Sequence, residues 1–367
     1  MRIILLTSSL DSGGAERVAT TLCNAWAARG DFVTLIPTFS GGGTPFFKVS
    51  DSVDLVYLAD VVGCRNKNIF NYFQRLLTLR RLIKSKEPDV VISFLPNVNV
   101  AAILSTVLLN VPLIIGERTD PSSDHRPPFW KIACRLSYRF SDMLTVQTDS
   151  VVSSVGQIYT GLRMVRSVPN PLPEGVEAQD RQDSNRRKVL LSLGRLSDEK
   201  QIGDIIKAFS QVANKFTDWD LNIFGEGPLR QALDEEIKNL QLSDRVFLKG
   251  NTLRPWDVMS TSDAFIMTSK FEGFPNSLLE AMGVGLPCIA YDCPSGPREI
   301  TRNGVDAILV PVNDQNSLLG GVIELMGNEA LRESLGAQAR ESILKRYQLS
   351  TVLDRWDELF CEVGVSA

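Results

Sequence analysis

A chain whose apolar runs alternate between strand and helix, and do so twice with a break between, has few folds open to it. From the amino end, 2–7 is a short β-rich run that Gly13-Gly14 brings to a close. Residues 15–29 carry Val18, Leu22, Ala25 and Trp26 at helical spacing before Gly30 stops the pattern. Strand-like runs recur at 32–36, 90–94, 113–116 and 143–146, with helical patterns between several of them. Strands separated by helices imply a parallel sheet covered on both faces. Near residue 170 the alternation breaks: Pro169, Pro171 and Pro173 fall together, and 177–188 is almost wholly polar, as in a linker. It resumes at 189–193, with strands expected at 221–224, 246–248, 264–267, 287–290 and 307–310. The expectation is an α/β chain of two doubly wound domains, 1–168 and 188–346, joined by 169–187. Ligands would sit at the carboxyl ends of the strands. A last helix is expected within 347–367, with Leu349, Val352, Leu353, Trp356, Leu359 and Phe360 as its apolar positions. Periodicity does not choose whether it stays on the second domain or crosses back to the first.

Composition narrows the chemistry. A length of 367 residues suits two domains, each with its own core. The net charge of −4 argues against a nucleic-acid partner, yet it is unevenly spread. Up to Val168 there are 18 basic and 13 acidic residues, a net of +5, which leaves −9 for the rest. The cysteines Cys23, Cys64, Cys134, Cys288, Cys293 and Cys361 form no Cys-x-x-Cys pair, and scattered thiols fit a reducing cytoplasm. His125 is the only histidine, so a two-histidine zinc site is impossible. The amino end lacks a secretory pattern. The best membrane-spanning candidate, 98–116, divides at Asn110-Val111-Pro112 into a helix and a strand.

Three stretches carry candidate chemistry. In FEGFPNSLLEAM, Glu272 and Glu280 are eight residues apart across a strand–turn–helix junction. Asn276 or Ser277 would cap the helix, and the backbone of Gly273 and Phe274 would face a ligand hydroxyl or phosphate. Spacing alone fits a capped helix with a solvated acidic face as well. In GRLSDEK, Arg195 and Lys200 flank a strand-end loop and suit a diphosphate, unless Asp198 and Glu199 simply neutralise them. In DSGGAE, Gly13 and Gly14 would let backbone approach a ligand, although turn geometry also explains them. Other matches fail. Gly225-Glu226-Gly227 lacks the third glycine of a dinucleotide fingerprint, because Arg230 holds that place. Asp218-Trp219-Asp220 precedes its strand, whereas ligand loops follow theirs.

Together SGGAER, GRLSDEK, FGEGPLR and FEGFPNSLLEAMGVGLPCIAYDCPSGPREI resemble the retaining glycosyltransferases of family 4. The resemblance covers nearly the whole chain. It implies the GT-B architecture, two Rossmann-like domains facing across a cleft. It further implies that Arg195 and Lys200 neutralise the donor diphosphate and that Glu272 contacts the transferred sugar. Backbone at Gly273, Phe274, Pro275 and Asn276 would help hold that sugar, and Glu280 would take the ribose hydroxyls. Gly13, Gly14, Gly225 and Gly227 would lie along the nucleotide sugar. One position departs: Arg118 stands where many members carry histidine, so Glu117 and Arg118 become candidate acceptor or sugar contacts. The implied reaction moves a hexose or N-acetylhexosamine from a UDP-sugar to a saccharide acceptor with retained configuration. The acceptor would be lipid-linked, as in O-antigen, capsule or exopolysaccharide synthesis. Arg195, Lys200 and Glu272 would be catalytic, with no metal or other cofactor. A nucleotide-sugar epimerase and a non-catalytic subunit of the same architecture are the alternatives.

The basic first half adds a possible partner. Arg65, Lys67, Arg75, Arg80, Arg81, Lys84 and Lys86 are interleaved with Phe70, Tyr72, Phe73, Leu76 and Leu77. Lys131, Arg135 and Arg139 repeat every four residues beside Phe129 and Trp130. Such segments can be solvated helix faces or can lie on anionic lipid. The expectation is a cytoplasmic enzyme held peripherally on the inner face of the membrane.

Overall fold

The computed structural model describes residues 1–11, 13–63, 69–119, 121, 126–176, 178 and 186–365. Arg65, Lys67 and His125 lie outside them. The chain forms two compact units, one of Met1–Asn170 with Val352–Ala367, the other of Pro171–Thr351.

In the first unit the strands are β1 (Arg2–Thr7), β2 (Phe32–Pro37), β3 (Asp54–Leu55), β4 (Val90–Phe94), β5 (Leu113–Gly116), β6 (Met143–Val146) and β7 (Val165–Ser167). The helices are α1 (Gly14–Ala28), α2 (Leu58–Val62), α3 (Ile69–Lys86), α4 (Pro96–Thr106), α5 (Pro128–Ser137) and α6 (Asp149–Ile158). The sheet runs β3-β2-β1-β4-β5-β6-β7, and its strand pairs are parallel. Strands β4, β5 and β6 are buried along their whole length. Covered on both faces, they read as continuous Val/Ile/Leu runs rather than alternating ones. Helix α1 turns Val18, Leu22 and Trp26 onto the sheet. Fully burying each such side chain contributes roughly 1.5–3 kcal/mol.

The second unit repeats the plan. Its strands are β8 (Lys188–Leu193), β9 (Trp219–Phe224), β10 (Val246–Gly250), β11 (Ala264–Met267), β12 (Cys288–Tyr291) and β13 (Ile308–Val310). Its helices are α7 (Ile202–Val212), α8 (Arg230–Asn239), α9 (Pro255–Ser260), α10 (Asn276–Val284), α11 (Pro297–Ile300), α12 (Gln315–Gly327) and α13 (Glu329–Tyr347). The order is β10-β9-β8-β11-β12-β13. In each sheet the order reverses beside its first strand, and that reversal opens a ligand crevice at the strands' carboxyl ends. Helix α7 buries Ile202, Ile205, Ile206, Phe209 and Val212, one stripe at helical spacing. The side chains of Asp314 and Asn328 cap α12 and α13.

The expected linker is only partly a linker. Leu172 and Val176 are buried in the second unit, and the Leu172 N–H donates to the Tyr347 carbonyl at 2.6 Å. Gly283 makes room for Leu172, since a Cβ there would lie 2.7 Å from the leucine Cδ1. Arg186 and Arg187 are likewise engaged, by Asp263 and Asp220. Prolines and charges in a row suggested a loose tether, but periodicity cannot register apolar side chains that are two in number and irregularly spaced.

The last helix, α14 (Leu349–Glu362), carries the chain back to the first unit. Val352, Trp356, Leu359 and Phe360 join the core that holds Trp26 and Phe94. Trp356 meets Trp26 edge to face at 5.7 Å, a geometry that adds to area burial. Trp356→Ala should therefore destabilise the protein by roughly 3–5 kcal/mol, read as a lower midpoint in urea unfolding.

Candidate active site

In the second unit the candidate residues meet at the carboxyl ends of β8, β9 and β11. Lys200 Nζ pairs with Glu272 Oε1 at 2.5 Å. The two side chains come from loops 72 residues apart, and both are mostly buried. The loops are tied by backbone as well: the Lys270 N–H donates to the Glu199 carbonyl at 2.8 Å, and Thr268 Oγ1 donates to the Lys200 carbonyl at 2.9 Å. Arg195 is exposed and makes no ion pair among the described residues. Lys200 is held by Glu272, but Glu199 also feels both cations: against burial, its hydrogen bonds and then the charges of Arg195 and Lys200 draw its carboxyl below the ordinary range.

The two glycines after β9 serve loop packing. The Gly194 N–H donates to the Phe224 carbonyl at 3.0 Å, and the Leu196 N–H to the Glu226 carbonyl at 3.0 Å. A Cβ on Gly225, whose φ is 142°, would collide with the Gly194 carbonyl oxygen. One on Gly227 would collide with that of Leu196. Glycine is what lets this loop lie flat against the one bearing Arg195 and Lys200.

The FEGFPN turn is held from behind. Phe274 and Pro275 are buried, with Phe274 against Tyr347 at 5.8 Å, so these two side chains face the interior and leave only backbone for a ligand. Ser295 Oγ donates to the Gly273 carbonyl at 2.8 Å. Gly296, at φ 98°, lets the following loop pass so close to Pro275 that a Cβ would clash. Helix α10 begins at Asn276 behind Pro275, and no side chain caps it, contrary to the role expected for Asn276 or Ser277. The proline carbonyl instead accepts the Leu278 and Leu279 N–H groups. Glu280 is buried, and its Oε2 accepts Trp256 Nε1–H at 3.1 Å. The sequence reading missed Trp256 and assigned no role to Ser295 and Gly296. Trp256 lies 24 residues from Glu280, and no motif links them. Cys293 is buried nearby, and burial, then the charge of Glu272, pushes its thiol up to about 12.

In the first unit, Gly13 sits at the start of α1 with an ordinary φ of −78°, so its backbone does not require glycine. Gly14 is the first residue of that helix and is exposed. Glu117 engages the protein through one carboxylate oxygen and leaves the other, Oε2, buried without a hydrogen-bond partner. It is buried beneath the strand end, where its Oε1 accepts from Tyr138 at 2.6 Å, Arg126 at 3.1 Å and Tyr159 at 3.2 Å. Tyr138 is held in turn by Asn99, and Asn99 by Ser93 and the Gly116 carbonyl. Burial pushes the Glu117 carboxyl above its ordinary range, against the opposing pull of Arg126 and the two phenols. Arg118 points elsewhere: its guanidinium carbon lies 3.5 Å from the Phe94 ring centroid, and Nη1 donates to Asn170 Oδ1 at 3.0 Å.

The basic residues of the first half separate into two kinds. Arg75 is buried and donates to the Thr38 carbonyl, and Arg80 donates to the carbonyls of Ser105 and Val107. Neither is a free surface cation, because each closes a backbone carbonyl that lacks a partner. Arg81, Lys84, Lys131, Arg135 and Arg139 are exposed. On α5 and the turn after it the apolar neighbours are exposed too: Phe129 by 71%, Ile132 by 59%, Leu136 by 56% and Phe140 by 60%. Among the described residues no helix is long and apolar enough to cross a membrane, and no group of His, Cys, Asp or Glu side chains is arranged to hold a metal ion. The Asp220 carboxylate is taken by Arg187 and Arg245.

Two parallel-sheet units of this kind are the GT-B architecture of glycosyltransferases. Residues 12–172 match the model of Glycosyltransferase Family 4, and residues 176–342 that of Glycosyl transferases group 1. The chain belongs to the family 4 glycosyltransferases. It is 30% identical, over 98% of its length, to the exopolysaccharide phosphotransferase SCO2592 of Streptomyces coelicolor, and it spans 40% of that protein's length. It is 27% identical to a Campylobacter jejuni N-acetylgalactosaminyltransferase named for a diphospho-undecaprenol-linked saccharide, with 99% of each chain aligned. The fold matches Anabaena Alr3699/HepE in complex with UDP, with a TM-score of 0.81 and 17% identity over 99% of this chain and 100% of that one.

The Glu117 network carries a direct consequence for stability. Removing one partner of a buried ion pair leaves the other charge uncompensated. Glu117→Ala is therefore expected to cost roughly 3–5 kcal/mol in chemical denaturation, far more than loss of a surface ligand contact.

Proposed function

We propose that the protein transfers a hexose or N-acetylhexosamine from a UDP-sugar, with retained configuration, to a lipid-linked saccharide during assembly of a bacterial surface polysaccharide. The observation that carries this reading is the Lys200–Glu272 pair, with the exposed Arg195 on the same loop as Lys200. As the bond from the sugar's anomeric carbon to the diphosphate oxygen breaks, negative charge gathers on the leaving UDP. Arg195 and Lys200 meet that charge from fixed loops, so no reorganisation is needed at the moment of reaction. Glu272, released from Lys200 by the arriving phosphate, accepts hydrogen bonds from the sugar hydroxyls. Glu280, oriented by Trp256, takes the ribose hydroxyls. The new bond from the acceptor oxygen forms on the face the diphosphate leaves, and the acceptor's proton passes to a leaving phosphate oxygen. The two cations supply the charge that a metal ion would otherwise provide, and no metal or other cofactor takes part. UDP in the HepE complex and the undecaprenol-linked substrate in the Campylobacter relative's name support the choice of donor and acceptor.

Lys200→Ala and Glu272→Ala should each lower transfer by about 10²–10³-fold, measured by mass spectrometry of acceptor products, with little change in thermal midpoint. Full activity in either variant would refute the assignment.

Peripheral membrane contact belongs to the same proposal. Lys131, Arg135 and Arg139, each worth about 1 kcal/mol near an anionic surface, flank exposed Phe129, Ile132 and Leu136. Arg81 and Lys84 on α3 extend the basic surface. In low-salt sedimentation the protein should pellet with vesicles containing anionic lipid but not with neutral ones. Ile132→Glu with Leu136→Glu should abolish pelleting, and failure of the wild type to pellet would count against the contact.

A further inference from the structure

Arg118 is placed at a cost that the fold alone does not repay. The residue is only 9% exposed. Its Nη1 bonds Asn170 and its flat face lies on the Phe94 ring, yet its Nε and Nη2 are buried without a hydrogen-bond partner. Among the described residues no carboxylate pairs with it. A buried polar group left unpaired is costly, and native structures keep few of them.

The unpaired atoms are a particular two. Nε–H and Nη2–H project in parallel from one edge of the guanidinium, the edge that grips both oxygens of a carboxylate or phosphate. The third donor nitrogen, Nη1, is the one Asn170 occupies, and the Nε/Nη2 edge is left without a partner. The surroundings fix the group in place. Phe94 ends β4, Arg118 follows β5, Gln147 follows β6 and Asn170 follows β7, so four neighbouring strand ends converge. Asn170 Oδ1 accepts from both Arg118 and Gln147, the latter at 2.9 Å. Gly116 clears space for the aromatic platform, because a Cβ there would lie 2.9 Å from Phe94 Cδ1. Burial lowers the guanidinium to about 9, which still leaves it charged at neutral pH.

We infer that Arg118 is an oxyanion receptor of the first unit and grips, through Nε and Nη2, a phosphate or carboxylate group of the saccharide acceptor. The inference rests on the transferase reading and adds the chemical class of the acceptor. Two sources share this chemistry: the diphosphate of a lipid-linked saccharide and the carboxylate of an acidic sugar.

The test titrates the full chain and its Arg118→Met variant with pyrophosphate, glucuronate and, as a neutral control, methyl glucoside, all at one ionic strength. At least one anion should bind wild type ten times more tightly than Arg118→Met, with the neutral sugar indifferent. Pyrophosphate as that anion assigns the lipid diphosphate, and glucuronate assigns an acidic sugar. The unliganded Met variant should melt at or above the wild-type temperature, because it removes an unpaired buried charge. Equal binding of both anions by the two proteins would overturn the inference, as would a midpoint more than about 10 °C lower in Arg118→Met, which marks a structural guanidinium. UDP affinity, measured alongside, should be the same in both proteins. Loss of UDP affinity in Arg118→Met would put the guanidinium on the donor and also overturn the inference, whereas absence of UDP binding in wild type counts against the transferase reading instead.

Discussion

A parallel sheet covered on both faces has almost nowhere to keep a polar side chain except at the ends of its strands. Strands β4, β5 and β6 are buried throughout, and helices close both of their faces. Every group that must meet a ligand is therefore pushed to the loops beyond the carboxyl ends, where the chain leaves the sheet. The same restriction acts in the second unit, where Lys200, Glu272 and the glycines after β9 stand on strand ends. The site is a consequence of where the sheet forbids polarity, and the loops only sharpen it.

Charges that stay near the sheet are handled in three ways. Lys200 and Glu272 neutralise each other at partial exposure. Glu117 is fully buried and meets three donors through Oε1, while its Oε2 has no hydrogen-bond partner. Arg118 is as deep, but has one hydrogen bond and an aromatic face in place of a counter-ion. Neighbours in sequence, Glu117 and Arg118 thus differ in kind: one meets three donors and the other has no counter-ion.

Most of the architecture was legible because period-2 and period-3.6 patterns are local. The strands other than the short β3 and β7, helix α1 and the repeat of the plan after residue 170 follow from them. The site was legible in part. Arg195, Lys200, Glu272 and Glu280 announce themselves by charge at strand–helix junctions. Trp256, Ser295 and Gly296 do not, since their roles are contacts across the fold. Phe274 and Pro275 were read as offering backbone to a ligand, and the burial of their side chains, Phe274 against Tyr347, is compatible with that. Burial also set Arg75 and Arg80 apart from the surface cations, because their partners are backbone carbonyls that no charge pattern reveals. The open question of the last helix was settled by shape: Trp356 fits the aromatic cluster of Trp26 and Phe94.

The charge asymmetry takes on a different meaning once the side chains are sorted. A surplus of +5 up to Val168 suggested one basic surface. Arg75 and Arg80 are spent on backbone carbonyls, and Arg118 is buried under a strand end. Among the other cations, Lys131, Arg135 and Arg139 on α5 and the turn after it alternate with exposed Phe129, Ile132, Leu136 and Phe140. A purely solvated face would not keep four large apolar side chains more than half exposed between its charges. Solvation accounts for the basic residues but leaves the apolar ones without a reason, and that imbalance is what the proposed membrane contact rests on.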